Sequence, residues 1–165
     1  MRTLIGIDPG LAATGWGVVQ FDGSRFFHVA HGVVRTDSDS SLSARLLAIH
    51  GAVRKLLVKY CPTEAGVEEL FFSRNASSAM QVAHARGVVL LALGQRGIPV
   101  ECYSPQHVKA AVIGRGRADK DQVQRLVCVV LGLDEIPQPD HAADALAVAI
   151  CHANRSQVDV QQHHW

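Results

Sequence analysis

Three strand-like runs follow one another within the first 35 residues, separated only by short turn signals. Residues 3–8 form an apolar run that ends on a carboxylate, Asp8, and is broken by Pro9 and Gly10. Residues 15–21 resume the pattern up to the turn pair Asp22-Gly23, and residues 24–35 form the third run. Connections this short join strands running in opposite directions, so the chain is expected to open as an antiparallel meander.

The rest of the chain alternates helix and strand. A polar loop at 36–40 leads to a helix from Ser41 to about residue 60, with Leu42, Leu46, Ile49, Val53, Leu56 and Leu57 at helical spacing and Pro62 as its stop. Residues 64–70 read as a strand with acids at its end. Residues 75–95 read as a long helix that is apolar nearly all the way round, so more than one side of it must be covered. A second subunit and the chain's own domain are equally good covers. A strand at 98–103 and a helix at 104–113 follow, then a flexible basic loop, Gly114-Arg115-Gly116-Arg117. Residues 118–131 are helical, and Pro137 to Pro139 lead rigidly into a last helix from Asp140 to about Asn154. The order β-β-β-α-β-α-β followed by helices predicts an α/β fold, a five-stranded mixed sheet with helices on both faces. One domain is expected over 1–154, with a mobile polar tail at 155–165.

Hydrophobic residues make up 48% of the chain and aromatics only 5%, so the core is aliphatic and rich in alanine. The net charge of +1 argues neither for nor against nucleic acid, and a binding surface has to come from local clusters of Lys and Arg. Cys61, Cys102, Cys128 and Cys151 form no C-x-x-C pair and lie in or beside apolar runs. They are read as buried thiols kept reduced. The N-terminus has no secretory pattern and no apolar run approaches about 18 residues, which points to a cytoplasmic protein without a membrane span.

Three acids sit where burial is expected. Asp8 closes Ile5-Gly6-Ile7-Asp8, which has the pattern of a central strand, where aspartate is rare for structural reasons alone. Its ordinary alternative is a turn aspartate bonded to Gly10. Glu68 follows Ala65-Gly66-Val67, and strand alternation turns its neighbour Glu69 to the other face. Only one of the two is then expected at a shared site, and alternation does not say which. Asp144 lies within Ala142-Ala143-Asp144-Ala145-Leu146-Ala147-Val148, on one helical stripe with His141 and Val148. Asp140 is read as a helix N-cap after Pro139. Carboxylates brought together raise one another's pKa, and a divalent cation reverses this. Oxygen ligands favour Mg²⁺ or Mn²⁺ over zinc. Two such ions about 4 Å apart activate a water and stabilise a leaving 3′ oxygen, chemistry suited to nucleic-acid phosphodiesters.

Further blocks run in order along the chain. They are Ile5-Gly6-Ile7-Asp8-Pro9-Gly10 with Thr14-Gly15-Trp16-Gly17, Val67-Glu68-Glu69-Leu70-Phe71, and Asn75-Ala76 with Ala85-Arg86-Gly87. Val108-Lys109 with Val112-Ile113-Gly114, then Lys120, then Asp144-Ala145-Leu146-Ala147 complete the set. With these the chain resembles the RuvC family of Holliday-junction resolvases up to about His152. The resemblance implies a ribonuclease-H-like fold and a homodimeric endonuclease that nicks opposing strands of a four-way DNA junction symmetrically, in recombination and repair. Mg²⁺ or Mn²⁺, two per active site, is the expected cofactor, and the resemblance adds a RuvA–RuvB branch-migration complex as partner. The helix 75–95 is the expected dimer contact. The family's metal carboxylates fall on Asp8, Glu68 and Asp144, which favours Glu68 over Glu69.

One position departs from the most familiar members, which carry aspartate where this chain has His141. His141 joins Asp8, Glu68 and Asp144 as an expected catalytic and metal-binding residue. Neutral imidazole adds no negative charge and suits Mn²⁺ better than Mg²⁺, so Mn²⁺ is expected to activate more strongly, and activity to fall as His141 protonates. The plain alternative is a histidine that only helps to cap the helix.

Lys109, Arg115, Arg117 and Lys120 gather around one loop and a helix start, a pattern that favours phosphate, and Arg74 and Arg86 extend it. The alternative is a solvated surface balanced by Asp119 and Asp121. The resemblance gives Lys109 and Lys120 DNA-contact roles. Phe71 and Phe72 cannot both face inward in an extended chain, and one of them is suited to stack on an unpaired base, ordinary core packing being the alternative; the resemblance implicates Phe71 in opening the junction centre. On the carboxylates alone, other readings stay open. An actin-type ATPase needs two copies of the fold, and this chain holds one. A transposase-like or ribonuclease enzyme is also compatible, whereas the intact acid set argues against a non-catalytic junction binder.

Overall fold

The computed structural model describes residues 1–69, 76–114 and 119–162. The expectations for Phe71, Phe72, Arg74, Arg115 and Arg117 fall outside the described residues. The opening meander is β1 (Arg2–Asp8), β2 (Ala13–Phe21) and β3 (Phe26–Arg35). β1 pairs antiparallel with β2 from Arg2↔Phe21 to Asp8↔Gly15, and β2 pairs antiparallel with β3. Helix α1 (Leu42–Tyr60), capped by Ser41, carries the chain over to β4 (Glu64–Glu68), which runs parallel beside β1. Helix α2 (Ala76–Gly94) leads in the same way to β5 (Val100–Tyr103), parallel to β4. Helices α3 (Pro105–Ile113), α4 (Lys120–Leu131) and α5 (Asp140–Gln162) complete the chain. The strand order is β3-β2-β1-β4-β5, a five-stranded mixed sheet with β1 at its centre.

Alternation along the strands sorts side chains between two cores. Ile5, Ile7, Val18 and Val67 face α1 and α2, where Ile49, Val53, Leu57 and Val89 meet them. Leu4, Val19 and Phe21 face the other layer, with Val123 and Val127 of α4 and Leu146 and Ile150 of α5. The same alternation sends Gly6, Asp8, Glu64, Gly66 and Glu68 toward α5.

Helix α5 lies unusually close to the strands because both partners are stripped to small residues. A Cβ at Gly6 would run into the Ala145 carbonyl oxygen, and one at Gly15 into the His141 carbonyl oxygen. A Cβ at Gly17 would lie 2.6 Å from Leu146 Cδ2. On the helix side, Ala142, Ala143, Ala145, Ala149 and Ala153 are fully buried. Backbone therefore meets backbone, and the first turn of α5 sits directly over the end of β1.

Element ends agree with expectation to about two residues, the usual uncertainty of helix and strand boundaries. The exception is α5, which continues to Gln162 instead of stopping near Asn154. Neither glycine nor proline occurs between residues 154 and 162, so nothing in the chain breaks it. The expectation of buried thiols holds for Cys151 only: Cys61 is exposed, and Cys102 and Cys128 are half-buried, all four being free. Cys61 closes α1 in the left-handed conformation at φ 46°, which lifts it away from the apolar face. Helix α2 buries Ala85, Val89, Ala92 and Leu93, but Met80 and Leu91 stay exposed on its other side. Among the described residues, no helix is long and apolar enough to cross a membrane.

Gly6→Ala is expected to destabilise the fold by about 3 kcal/mol, because the added methyl displaces helix backbone rather than a flexible side chain. An unchanged urea midpoint for that variant would show that α5 does not sit this close.

Candidate active site

The register Ile7↔Val67 sets the ends of two parallel neighbours, β1 and β4, side by side, and Asp8 and Glu68 are the next residues on each. Asp8 is largely covered, its side chain 13% exposed. From above, the first turns of α5 add His141 and Asp144, separated by three residues and so on one helix face. His141 Nδ1–H donates to Asp8 Oδ2 at 2.7 Å. Ligand-type atoms of Asp8, His141 and Asp144 all lie within 4.8 Å of one another. Glu68 borders this trio from two sides. It lines a cleft of about 290 Å³ with Asp8 and His141, and a smaller cavity with Asp144, Lys109 and Lys120.

Crowding acids under a helix has an electrostatic cost. Burial, and after it the nearby Asp8 charge, pushes the Glu68 carboxyl up to about 8. Burial also raises Asp144, although the Lys120 ammonium works against the rise. The hydrogen bond to Asp8 holds the His141 imidazole above its ordinary value in spite of its partial burial. Lys120 Nζ lies 3.2 Å from Asp140 Oδ2 and 3.3 Å from Asp144 Oδ2.

Two expectations need correction. Asp140 is not a cap: it is the first residue of α5, and its carboxylate pairs with Lys120, which lowers its pKa. Glu69 was expected to face away from Glu68, yet both border the cleft. β4 ends at Glu68, so alternation no longer governs Glu69, whose N–H donates to the Tyr103 carbonyl at 2.8 Å. The plain turn reading of Asp8 does not apply either, since Gly10 N–H donates to Thr14 Oγ1 at 3.3 Å. Thr14, fully buried, donates in return to the Gly10 carbonyl at 2.7 Å and fixes the loop beside Asp8. Its position inside the Thr14-Gly15-Trp16-Gly17 block was visible, but its partner was not. Of the basic residues, Lys109 and Lys120 share the smaller cavity with Glu68 and Asp144. Arg86 is not exposed beside them: its Nη2 donates to Cys102 Sγ at 3.0 Å.

A second polar group beneath α5 was missed altogether. Arg2 donates to Glu64 at 3.1 Å and to the Ala153 carbonyl at 3.2 Å. His152 Nε2 lies 3.2 Å from Glu64 Oε2, and His152 Nδ1 is 2.8 Å from the Tyr103 hydroxyl. His152 continues the His141–Asp144–Val148 stripe, which was the available signal.

Three carboxylates and one imidazole form a hard, oxygen-rich donor set that fits Mg²⁺ or Mn²⁺. Burial and the neighbouring Asp8 charge both disfavour the ionised form of Glu68, and a divalent cation would offset both. The sheet order, with acids ending β1 and β4 and opening the last helix, defines a ribonuclease-H-like nuclease fold. The family described as crossover junction endodeoxyribonuclease RuvC matches residues 4–152, and the chain belongs to that family. It is similar to the RuvC of Treponema denticola, 52% identical over 155 residues, covering 94% of this chain and 87% of the relative. It is also similar to the Heliobacterium modesticaldum protein of the same name, 49% identical over 151 residues, covering 92% and 93%. Among solved structures, Thermus thermophilus RuvC in complex with a Holliday junction substrate superposes with a TM-score of 0.92 at 38% identity. That match covers 96% of this chain and 97% of the other. The yeast mitochondrial Holliday junction resolvase, 14% identical with a TM-score of 0.68, shares the fold.

The raised Glu68 pKa gives a stability prediction for metal-free protein. A carboxyl whose folded pKa lies above its unfolded value of 4.5 stabilises fully below that value and loses the contribution as pH rises through about 8. Glu68→Gln keeps the side chain neutral. In EDTA it should melt higher than the parent chain at pH 8.5 and equal to it at pH 4.5; a gap independent of pH would contradict this.

Proposed function

We propose that this chain is a structure-selective DNA endonuclease that resolves four-way junctions by metal-dependent nicking of opposing strands, in recombination and repair. The observation that carries this reading is the convergence of Asp8, His141 and Asp144 within 4.8 Å, with Glu68 at the border, in a chain of the RuvC family. The Thermus relative, solved with a Holliday junction as its substrate, supports it.

In this reading Asp8, Glu68, His141 and Asp144 hold the divalent ions. When bound, these ions supply Lewis-acid activation of water and stabilisation of the leaving 3′ oxygen. The chain's own groups prepare for that. Asp8 and Asp144 present carboxylate oxygens from rigid elements, and Glu68 would hold the ion as an ionised carboxylate. His141 would join them as a neutral imidazole ligand. Lys109 and Lys120 receive phosphate oxygens at the mouth of the cleft. Phe71, Arg74, Arg115 and Arg117 are the proposed contacts to the junction. Symmetric cutting of two strands calls for two copies of the site, and a homodimer through α2 supplies them. The apolar Met80 and Leu91 left exposed on that helix support this assignment. The RuvA–RuvB branch-migration complex is the proposed partner.

Asp8→Asn should lower symmetric cutting of a synthetic four-way junction by about a thousandfold or more while junction binding persists. Full cutting by that variant would sink the assignment.

Mn²⁺ is the proposed preferred metal, because His141 replaces a negative ligand by a neutral one. The hydrogen bond to Asp8 raises the His141 pKa, so protonation sets in at a higher pH than for an ordinary histidine. Cutting should therefore decline as pH falls through that raised value, and faster with Mg²⁺ than with Mn²⁺. His141→Asp should narrow the difference between the metals. Equal rates with both ions and a flat profile from about pH 5.5 to 8 would count against it.

A further inference from the structure

Lys120 stands where its local structure disfavours a cation. It is the first residue of α4, held there by a reciprocal cap. Gln122 N–H donates to Asp119 Oδ1 at 2.8 Å, and Asp119 N–H donates to Gln122 Oε1 at 3.2 Å. An ammonium at a helix N-terminus meets the positive end of the macrodipole. An ordinary surface lysine there extends into solvent and keeps its hydration and rotamer freedom. Lys120 instead folds back over the cleft and bridges two acids of a different helix. Asp140 is the outer one, its side chain 56% exposed, and Asp144 the inner one at 27%. The ammonium thus spans from the rim of the site to one of the three residues whose ligand atoms converge.

We infer that Lys120 is the internal counter-cation of the metal-free site, competing with the divalent ion for Asp144, and that Asp140 retains the displaced ammonium at the rim. The inference rests on the reading of Asp8, Glu68 and Asp144 as metal-binding carboxylates. Its physical basis is occupancy. The Asp144 Oδ2 atom that accepts from Nζ at 3.3 Å belongs to the carboxylate that converges with Asp8 and His141. Among the described residues, Lys120 pairs with both Asp140 and Asp144. Lys109 lines the same small cavity from α3. Asp140 gives Lys120 somewhere to remain when Asp144 is taken. The released Nζ then lies beside Lys109 at the mouth of the site, where both ammonium groups face an incoming phosphate. Metal loading and phosphate grip become one coupled event, because the same lysine cannot neutralise Asp144 and hold the substrate.

Calorimetric titration of Mn²⁺ into the full chain without DNA separates this from a lysine that only touches DNA. Lys120→Met and Lys120→Gln should each bind Mn²⁺ about three- to fivefold more tightly than the parent chain, the scale of one partly exposed ion pair. Lys109→Met, removing a neighbouring cation that is not on Asp144, should stay within about twofold. Metal-free Lys120→Met should melt below the parent chain, and saturating Mn²⁺ should narrow that gap. Unchanged or weaker Mn²⁺ binding in both Lys120 variants overturns the inference, and so does an equal gain in Lys109→Met. If the parent chain binds no Mn²⁺ that Asp8→Asn abolishes, the metal-site reading itself fails, and the inference falls with it.

Discussion

The contact between α5 and the centre of the sheet is the constraint from which the rest follows. Gly6, Gly15 and Gly17 remove side chains from the strand side, and the alanines of α5 remove them from the helix side. Helix backbone comes down onto strand backbone, closer than two layers of ordinary side chains allow. That approach brings His141 and Asp144 into reach of Asp8. A leucine in place of any of these glycines would lift the helix and separate the acids. The functional side chains are thus held by packing of two rigid elements, the arrangement that keeps a constellation within a fraction of an ångström.

The two ends of this contact are balanced differently. At the far end, Arg2, Glu64, His152 and Tyr103 form a group in which opposite charges and hydrogen-bonding atoms meet one another. At the near end, burial and like charge raise the Glu68 carboxyl, while an imidazole meets Asp8 and an ammonium meets Asp144. A site assembled only for stability would resemble the first arrangement. The second stores unfavourable electrostatics that a divalent ion can release, a usual exchange of stability for function.

The main outline of the fold was legible because strand and helix periods are written in short runs. Ile5-Gly6-Ile7-Asp8 marked a central strand, and Asp144 stood out from the alanines around it. Residues whose role depends on a partner from another element were harder to read. Asp140 follows Pro139 and has the profile of a cap, but its partner Lys120 opens a different helix, and nothing local announces that pairing. Glu69 was assigned by strand alternation, a rule that stops where the strand stops. The glycines at 6, 15 and 17 were visible as part of a motif, yet their purpose belongs to α5. Cys61 followed an apolar run and was expected inside, whereas a left-handed helix end turned it outward.

Helix α5 carries His141, Asp144, Val148 and His152 on a single stripe, one turn apart, with the site at one end and the Glu64–Tyr103 group at the other. Each residue along an α-helix advances the face by about 100° and the axis by about 1.5 Å. One residue inserted or deleted between these points would leave either the acids or His152 facing solvent, with the alanines no longer over their glycines. This stretch is fixed in length as well as in the smallness of its buried side chains.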